Sequence, residues 1–253
     1  MRVLILTQNE RIVLPKYIGY FLNNIPKEFE IVGAFIFPAS PFGKKESELD
    51  KILKVFKVFG LGFFLNYGWK FFISILTNRS VLNEIRKNNI NIIETEGSIN
   101  SRTNLSKLEA FKPDLLISLT ANQIFKRKLI DLAPKGCLNL HSALLPLNRG
   151  LFPTFWVLKN GEQKTGVTVF YVDEGIDSGP ILVQKEVEIK KRNLNWLIKE
   201  CKKVGMDAVI EALHKILSDE VETMENDHKK STYNSFPDSN DVKEFLNNGN
   251  KLY

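Results

Sequence analysis

The sequence predicts an α/β domain, a mostly parallel twisted sheet with helices on both faces. Three observations carry that expectation. Up to about residue 140, short apolar runs of strand length alternate with segments whose apolar residues recur at helical spacing. From Gly166 the pattern changes to two strands with clear period-two alternation, separated by the Gly- and Asp-rich turn 173–180. The chain has 253 residues, 43% of them hydrophobic and 25% charged, which fits one globular domain with a modest appendage and excludes a disordered or collagen-like chain.

The elements follow in order. Residues 3–6 form a first strand, and the start MRVLILTQNE turns polar too soon for a signal peptide, so a cytoplasmic protein is expected. Residues 10–23 have helical spacing, and 31–37, rich in β-branched and aromatic side chains, form a second strand. After an apolar insertion at about 44–78, residues 81–87 are helical, 90–93 a strand and 105–111 a short helix. Pro113 introduces the strand 115–119. A helix over 124–132 and a strand over 137–140 come next. Strands at 167–172 and 181–189 precede a long amphipathic helix, 194–217, and an arm with one short helix. The expected units are a domain over 1–218 and a C-terminal arm over 219–253.

Composition excludes several function classes. Two cysteines, Cys137 and Cys201, are too few for a disulfide framework, and three histidines without ligand spacing provide no metal site. The net charge of +6 favours anionic partners without choosing among them. No G-x-G-x-x-G turn or P-loop is present; the first strand runs into Thr7-Gln8-Asn9-Glu10. Within 52–76 the only charges are Lys54, Lys57 and Lys70, but the longest uncharged run, 58–69, is short of the roughly 18–20 residues of a spanning helix and holds three glycines. A pair of short helices, packed on the domain or at a dimer contact, is the preferred reading, with a weak membrane contact as the alternative. No transmembrane span is expected.

The chemistry concentrates in 137–180. CLNLHSALLPLNRG sets Asn139 and His141 two apart at the end of a strand, so both project from one face into a pocket at the sheet's carboxyl edge. A carboxylate on the 173–180 turn can orient the imidazole.

The strings LNLHSALLPLNRG and GVTVFYVDEGIDSGPIL, with Trp156, Asn160, Gly161 and Glu162 between them, resemble the formyltransferases that use N10-formyltetrahydrofolate. That family includes glycinamide ribonucleotide formyltransferase, methionyl-tRNA formyltransferase and the bacterial sugar N-formyltransferases, the group this chain is most similar to. The resemblance is strong over 113–189 and implies a Rossmann-like formyltransferase fold. It implies Asn139, His141 and Asp177 as catalytic residues, with histidine and aspartate 36 residues apart. Asn139 and protonated His141 would donate to the carbonyl oxygen as a neutral amine attacks the formyl carbon, and Asp177 would stabilise the imidazolium. The formyl donor would be held by backbone groups of Asn122, Gln123, Ile124 and Phe125 and of Val172, Asp173, Glu174, Gly175 and Ile176. Thr7, Gln8, Asn9 and Arg149 are the expected substrate contacts.

The resemblance also bears on the acceptor. The residues after 189 show no run of alternating strands such as the extra barrel of the methionyl-tRNA enzymes. Thr7-Gln8-Asn9 does not provide the glycine-containing phosphate turn of the glycinamide ribonucleotide enzymes. The tail SFPDSNDVKEFLNNGNKL is similar to those of sugar-modifying enzymes. The expected partner is therefore a nucleotide-linked amino sugar used in lipopolysaccharide or glycan biosynthesis, with no nucleic acid bound, no metal, and a homodimer as the assembly. Methionyl-tRNA formylation, or formylation of another small amine, is the alternative.

Overall fold

A computed structural model describes residues 1–39, 47–94, 97–218 and 221–253; the first part of the insertion, 44–46, and the start of the expected arm, 219–220, lie outside them. In chain order the elements are β1 (Arg2–Gln8), α1 (Leu14–Asn24), β2 (Glu30–Phe37), α2 (Glu48–Leu76), α3 (Val81–Lys87), β3 (Ile92–Ile93), α4 (Arg102–Glu109) and β4 (Leu115–Leu119). Then come α5 (Arg127–Ile130), β5 (Cys137–His141), β6 (Arg149–Gly150), α6 (Pro153–Lys159), β7 (Lys164–Tyr171), β8 (Ile181–Glu188), α7 (Leu194–Leu217), β9 (Tyr233–Asn234) and α8 (Ser239–Asn247).

Seven strands form one sheet in the order β3-β2-β1-β4-β5-β7-β8. The pairs from β3 to β5 are parallel, and β7 and β8 add an antiparallel hairpin at one side. The order reverses between β1 and β4, which opens a crevice at the carboxyl ends of the strands. Alternate residues of the central strands feed separate cores. Val3, Ile5, Leu115, Ile117, Leu138 and Leu140 pack under α1 and α7. Leu4, Leu6, Phe35, Leu116 and Cys137 pack under the other layer, with Leu108 and Leu129. Fully burying each such side chain contributes roughly 1.5–3 kcal/mol, which is what holds β5 in place beneath the site.

Some boundaries differ from the sequence expectation. α1 begins at Leu14 instead of residue 10 because the Glu10 carboxylate accepts from the backbone N–H groups of Ile12, Val13 and Leu14 at 2.6–2.8 Å. The helix expected over 124–132 shrinks to α5, since the chain before it is pinned to the 97–100 loop: Gln123 accepts from Ile99 N–H, and Asn100 bonds both Ile124 and Lys126.

The insertion is one long helix in two parts. Gly60 breaks α2 in the left-handed region (φ 78°), where a side chain would be strained. By length and composition, the stretch Leu49–Lys87 contains a window apolar enough to cross a membrane, against the expectation from the short uncharged run 58–69 and its three glycines. The Gly60 break leaves 61–76 as the longest continuous part, about 24 Å at 1.5 Å per residue, against a hydrocarbon core of about 30 Å. Phe59, 7% exposed, anchors the helix edge-on against Phe152 and Phe236.

Residues 221–253 return to the sheet edge. β9 pairs in parallel with β6, matching Arg149 to Tyr233 and Gly150 to Asn234. Phe245 of α8 stacks on Phe155 of α6 at 4.7 Å.

Candidate active site

β5 ends at the crevice, and its alternation sends Asn139 and His141 to one face. His141 is 7% exposed. Its Nε2 lies 2.8 Å from the carbonyl oxygen of Asn148, so that nitrogen carries the hydrogen of this bond. Its Nδ1 faces Asp177 Oδ2 at 3.5 Å. The same carboxylate oxygen accepts from the Gly150 backbone N–H at 2.8 Å. Both ring nitrogens therefore face oxygen, which fixes the imidazole plane.

Asp177 sits in the left-handed region (φ 47°), which Asp tolerates better than most residues. The turn holding it is over-determined. Asp173 Oδ1 accepts from Ser178 Oγ and Gly175 N–H, and Tyr171 N–H donates to the Pro180 carbonyl. Gly179 packs so tightly that a Cβ would lie 1.8 Å from the Tyr171 carbonyl oxygen. On the other side, Asn226 donates to the Asp177 and Gly179 carbonyls at 3.0 and 2.9 Å while accepting from Arg149 at 2.7 Å. Thr232 and Asn234 hold Asn148, the residue whose carbonyl fixes His141.

The structure thus brings Asn139, His141 and Asp177 to one corner of the sheet edge. The half-buried Asn139 carboxamide makes no hydrogen bond among the described residues. Ser118 is its register partner on β4, and the buried hydroxyls of Ser118 and Thr120 also have no partner there. Buried polar groups are nearly always satisfied, so three open ones side by side on adjoining strand ends are what a polar ligand would complete. Sequence reading missed Ser118 and Thr120; their signal was two hydroxyl residues closing an otherwise apolar strand beside the Asn-x-His strand. It also missed Asn226, and nothing in the sequence ties that residue to a turn 49 positions away.

The other candidate residues divide. Asn122, Gln123, Ile124 and Phe125 form the loop after β4; Asn122 donates to the Pro38 carbonyl, Phe125 is buried and the Ile124 side chain is 65% exposed. Val172 bonds the Cys137 carbonyl through its N–H, while Glu174, Gly175 and Ile176 are exposed beside the turn. Polar groups expected to meet a substrate are turned inward at Thr7 and Arg149. The fully buried Thr7 hydroxyl donates to Leu119, and the Arg149 guanidinium is buried against Asn226 and His228, its Nε without a partner among the described residues. Gln8 donates to Thr120, and Asn9 accepts from Leu82 N–H. Among the described residues no cluster could hold a metal ion. Burial raises the Cys137 thiol, and burial, with the nearby charges of Lys202 and Glu200 opposing each other, pushes Cys201 up to about 12, so neither is a ready nucleophile.

At the carboxyl edge of a mostly parallel α/β sheet an amide, an imidazole and a carboxylate come together, groups able to donate to an oxygen that gains charge and to move a proton. The profile described as formyl transferase matches residues 76–213, and the chain belongs to that family. Curated relatives include the methionyl-tRNA formyltransferase of Kosmotoga olearia, 39% identical over 137 residues, which are 54% of this chain and 44% of that protein. That of Thermotoga maritima is 35% identical over 148 residues, 58% of this chain and 47% of its own. The chain spans about half the length of the curated relatives it matches.

Among solved structures, a sugar N-formyltransferase from Shewanella sp. superposes with a TM-score of 0.60 at 19% identity, covering 98% of this chain and 87% of that one. Phosphoribosylglycinamide formyltransferase from Bacillus halodurans gives 0.61 at 20% identity, covering 87% and 97%. The N-formyltransferase from Helicobacter canadensis, solved in complex with folinic acid and dTDP-3-aminofucose, gives 0.57 at 19% identity, covering 93% and 71%. At such identities the likeness is one of fold.

Proposed function

We propose that this chain is an N-formyltransferase that moves a formyl group from N10-formyltetrahydrofolate to the amine of a nucleotide-linked amino sugar. The observation that carries the activity is the His141–Asp177 pair beside an Asn139 carboxamide with no partner among the described residues. A formyl donor fits that corner because it offers a carbonyl oxygen to the open Asn139 N–H and polar groups to Ser118 and Thr120.

In this reading the acceptor amine nitrogen bonds to the formyl carbon while the bond from that carbon to the folate nitrogen breaks. Asn139 donates to the formyl oxygen as it gains charge, and an aligned donor of this kind is worth about 10²–10³ in rate. The proton lost by the amine moves through His141 to the departing folate nitrogen, and Asp177 steadies the ring while it is charged. Because Nε2 is bonded to Asn148, His141 reaches the reacting atoms only by releasing that carbonyl. Asn139 is therefore the donor in place before the substrates arrive.

Two observations support a sugar acceptor. The Glu10 carboxylate already takes the backbone N–H groups where α1 begins, so a ribonucleotide phosphate has no seat after β1. The C-terminal arm is bonded to the Asp177 turn, and the likeness to the Shewanella sugar N-formyltransferase extends through it. The second reading, formylation of methionyl-tRNA, is favoured by the names of the curated relatives. Incubation with formyl-folate and either a panel of nucleotide-linked amino sugars or charged initiator tRNA, followed by mass analysis, decides between them. We expect one formyl group gained by a single sugar and none by the tRNA. Reaction of the tRNA alone replaces the sugar reading, and no transfer to any amine rejects both.

A further inference from the structure

We propose that α2 seats this protein on an anionic bilayer surface, its outer apolar stripe entering the interface and the basic groove beside it meeting lipid phosphates. In the second half of α2, Leu61, Leu65, Trp69, Phe72 and Leu76 recur at spacings of three and four and are all about half to two-thirds exposed. That spacing puts them on one face of the helix. The opposite face carries Phe63, Lys70 and Ser74, each half-buried or buried against the domain. The helix is therefore seated by one side and presents a continuous apolar ridge on the other. Such a ridge of large side chains is not what an isolated soluble surface carries.

The charges name the occupant. From residue 51 to residue 83 the chain contains Lys51, Lys54, Lys57, Lys70 and Arg79 and no acidic residue. Trp69, Lys70 and Ile73 of α2 form one wall of a groove of about 480 Å³, whose other walls add Arg11, Lys16, Arg79 and Lys199 with no carboxylate in the lining. Burial, and then the charge of Lys199, lower the Lys70 ammonium from its ordinary value. Glu200 stands near enough for its charge, after burial, to raise the Tyr17 hydroxyl of the same groove, yet five cations line it against that one nearby carboxylate. Glu84 stands at the far rim but is paired with Lys87. A second copy of the chain on a two-fold axis would bring these cations against themselves, which is repulsive. An anionic bilayer satisfies both parts at once, and Trp69 stands where apolar ridge and basic groove meet, the level an indole prefers in an interface. The Gly60 break and the short second half favour lying in the interface over spanning.

The test is flotation of the purified full chain with phosphatidylcholine vesicles and with vesicles containing equal parts phosphatidylglycerol. Three or more cations at the surface predict capture by the anionic vesicles on the order of a hundredfold above neutral ones, falling steeply with added salt. The double variant Leu65→Glu/Phe72→Glu, at exposed positions, should fold normally by circular dichroism and lose capture. Lys70→Glu/Lys199→Glu should lower capture by at least about tenfold. Lipids brominated in the acyl chain should quench a tryptophan signal that Trp69→Phe removes. Equal capture by both vesicle types, or full capture of the Leu65→Glu/Phe72→Glu variant, overturns the proposal. So does absence of capture combined with a dimer that this variant dissociates, which would assign the ridge to a second copy. Pyrophosphate binding that depends on the cations but not on the ridge would assign the groove to a soluble phosphoester. None of these readouts depends on formyl transfer, so their failure and failure of the proposed activity are separate.

Discussion

The carboxyl end of β5 and the outer half of α2 solve opposite problems. At β5, polar groups are buried and the imidazole and carboxylate are held, His141 between Asn148 and Asp177, Asp177 by Gly150 and its turn by Asn226, while Asn139, Ser118 and Thr120 beside them stay open among the described residues. Along α2, apolar groups are exposed and few are held; Phe59 and Phe63 attach the helix, while Leu61, Leu65 and Trp69 touch solvent. The first region uses folding energy to fix an imidazole and a carboxylate. The second leaves hydrophobic area uncovered, which favours association with something outside the chain. Both places depart from ordinary burial, with opposite sign.

The comparison breaks most visibly at the proposed active-site corner. Asn139→Ala, His141→Asn and Asp177→Asn should each lower formyl transfer, followed as consumption of formyl-folate. Asn139→Ala is expected to cost about 10²–10³ in kcat with an unchanged circular dichroism spectrum. Wild-type turnover in a folded His141→Asn protein would remove the site assignment.

Next in size is the contrast within α2 itself. Phe59→Ala removes a buried ring from a cluster of four aromatics and should destabilise by about 3 kcal/mol in denaturant unfolding. Leu65→Ala, six positions on and 60% exposed, should stay within about 0.5 kcal/mol. Similar losses at both positions would mean the ridge is covered within the monomer.

Asn226→Ala sharpens the first region. It leaves the buried Arg149 guanidinium short of an acceptor and two carbonyls of the Asp177 turn short of a donor. A loss of roughly 2 kcal/mol in stability is expected, together with a lower kcat. An unchanged kcat in the folded variant would show that the arm steadies the fold without steadying Asp177.

The smallest effect carries a change of sign. Ser118→Ala removes a buried hydroxyl that has no partner among the described residues, so stability should hold or rise by up to about 1 kcal/mol. The KM for the formyl donor should rise if that hydroxyl meets it. Thermal unfolding and steady-state kinetics on one preparation read both. A stability loss without any kinetic change would make Ser118 a packing residue only.

Much of this was legible in one dimension. Strand order is not local, but the alternation of buried strands and helical segments is, and it predicted the α/β class; α3 and α7 fall where their periodicity put them. Asn139 and His141 could be paired from sequence because the period of a strand is two. The link from them to Asp177 rested on family resemblance, and its geometry rests on residues drawn from β6, the loop after β5 and the C-terminal arm. Boundaries moved where a side chain competed with the helix, as Glu10 does before α1.

By itself, then, the sequence determined the elements and the pairing of Asn139 with His141, because hydrophobic period and strand period are local properties, while the kind of chemistry expected there came from the family resemblance. Only the tertiary structure decided that Arg149 faces inward, that Ser118 stands open beside Asn139, and that one stripe of α2 is left outside. Each of those depends on which distant segment arrives to satisfy or cover a group. Hydrogen bonding and burial are settled between partners far apart in the chain, and no pattern within a single segment contains the partner.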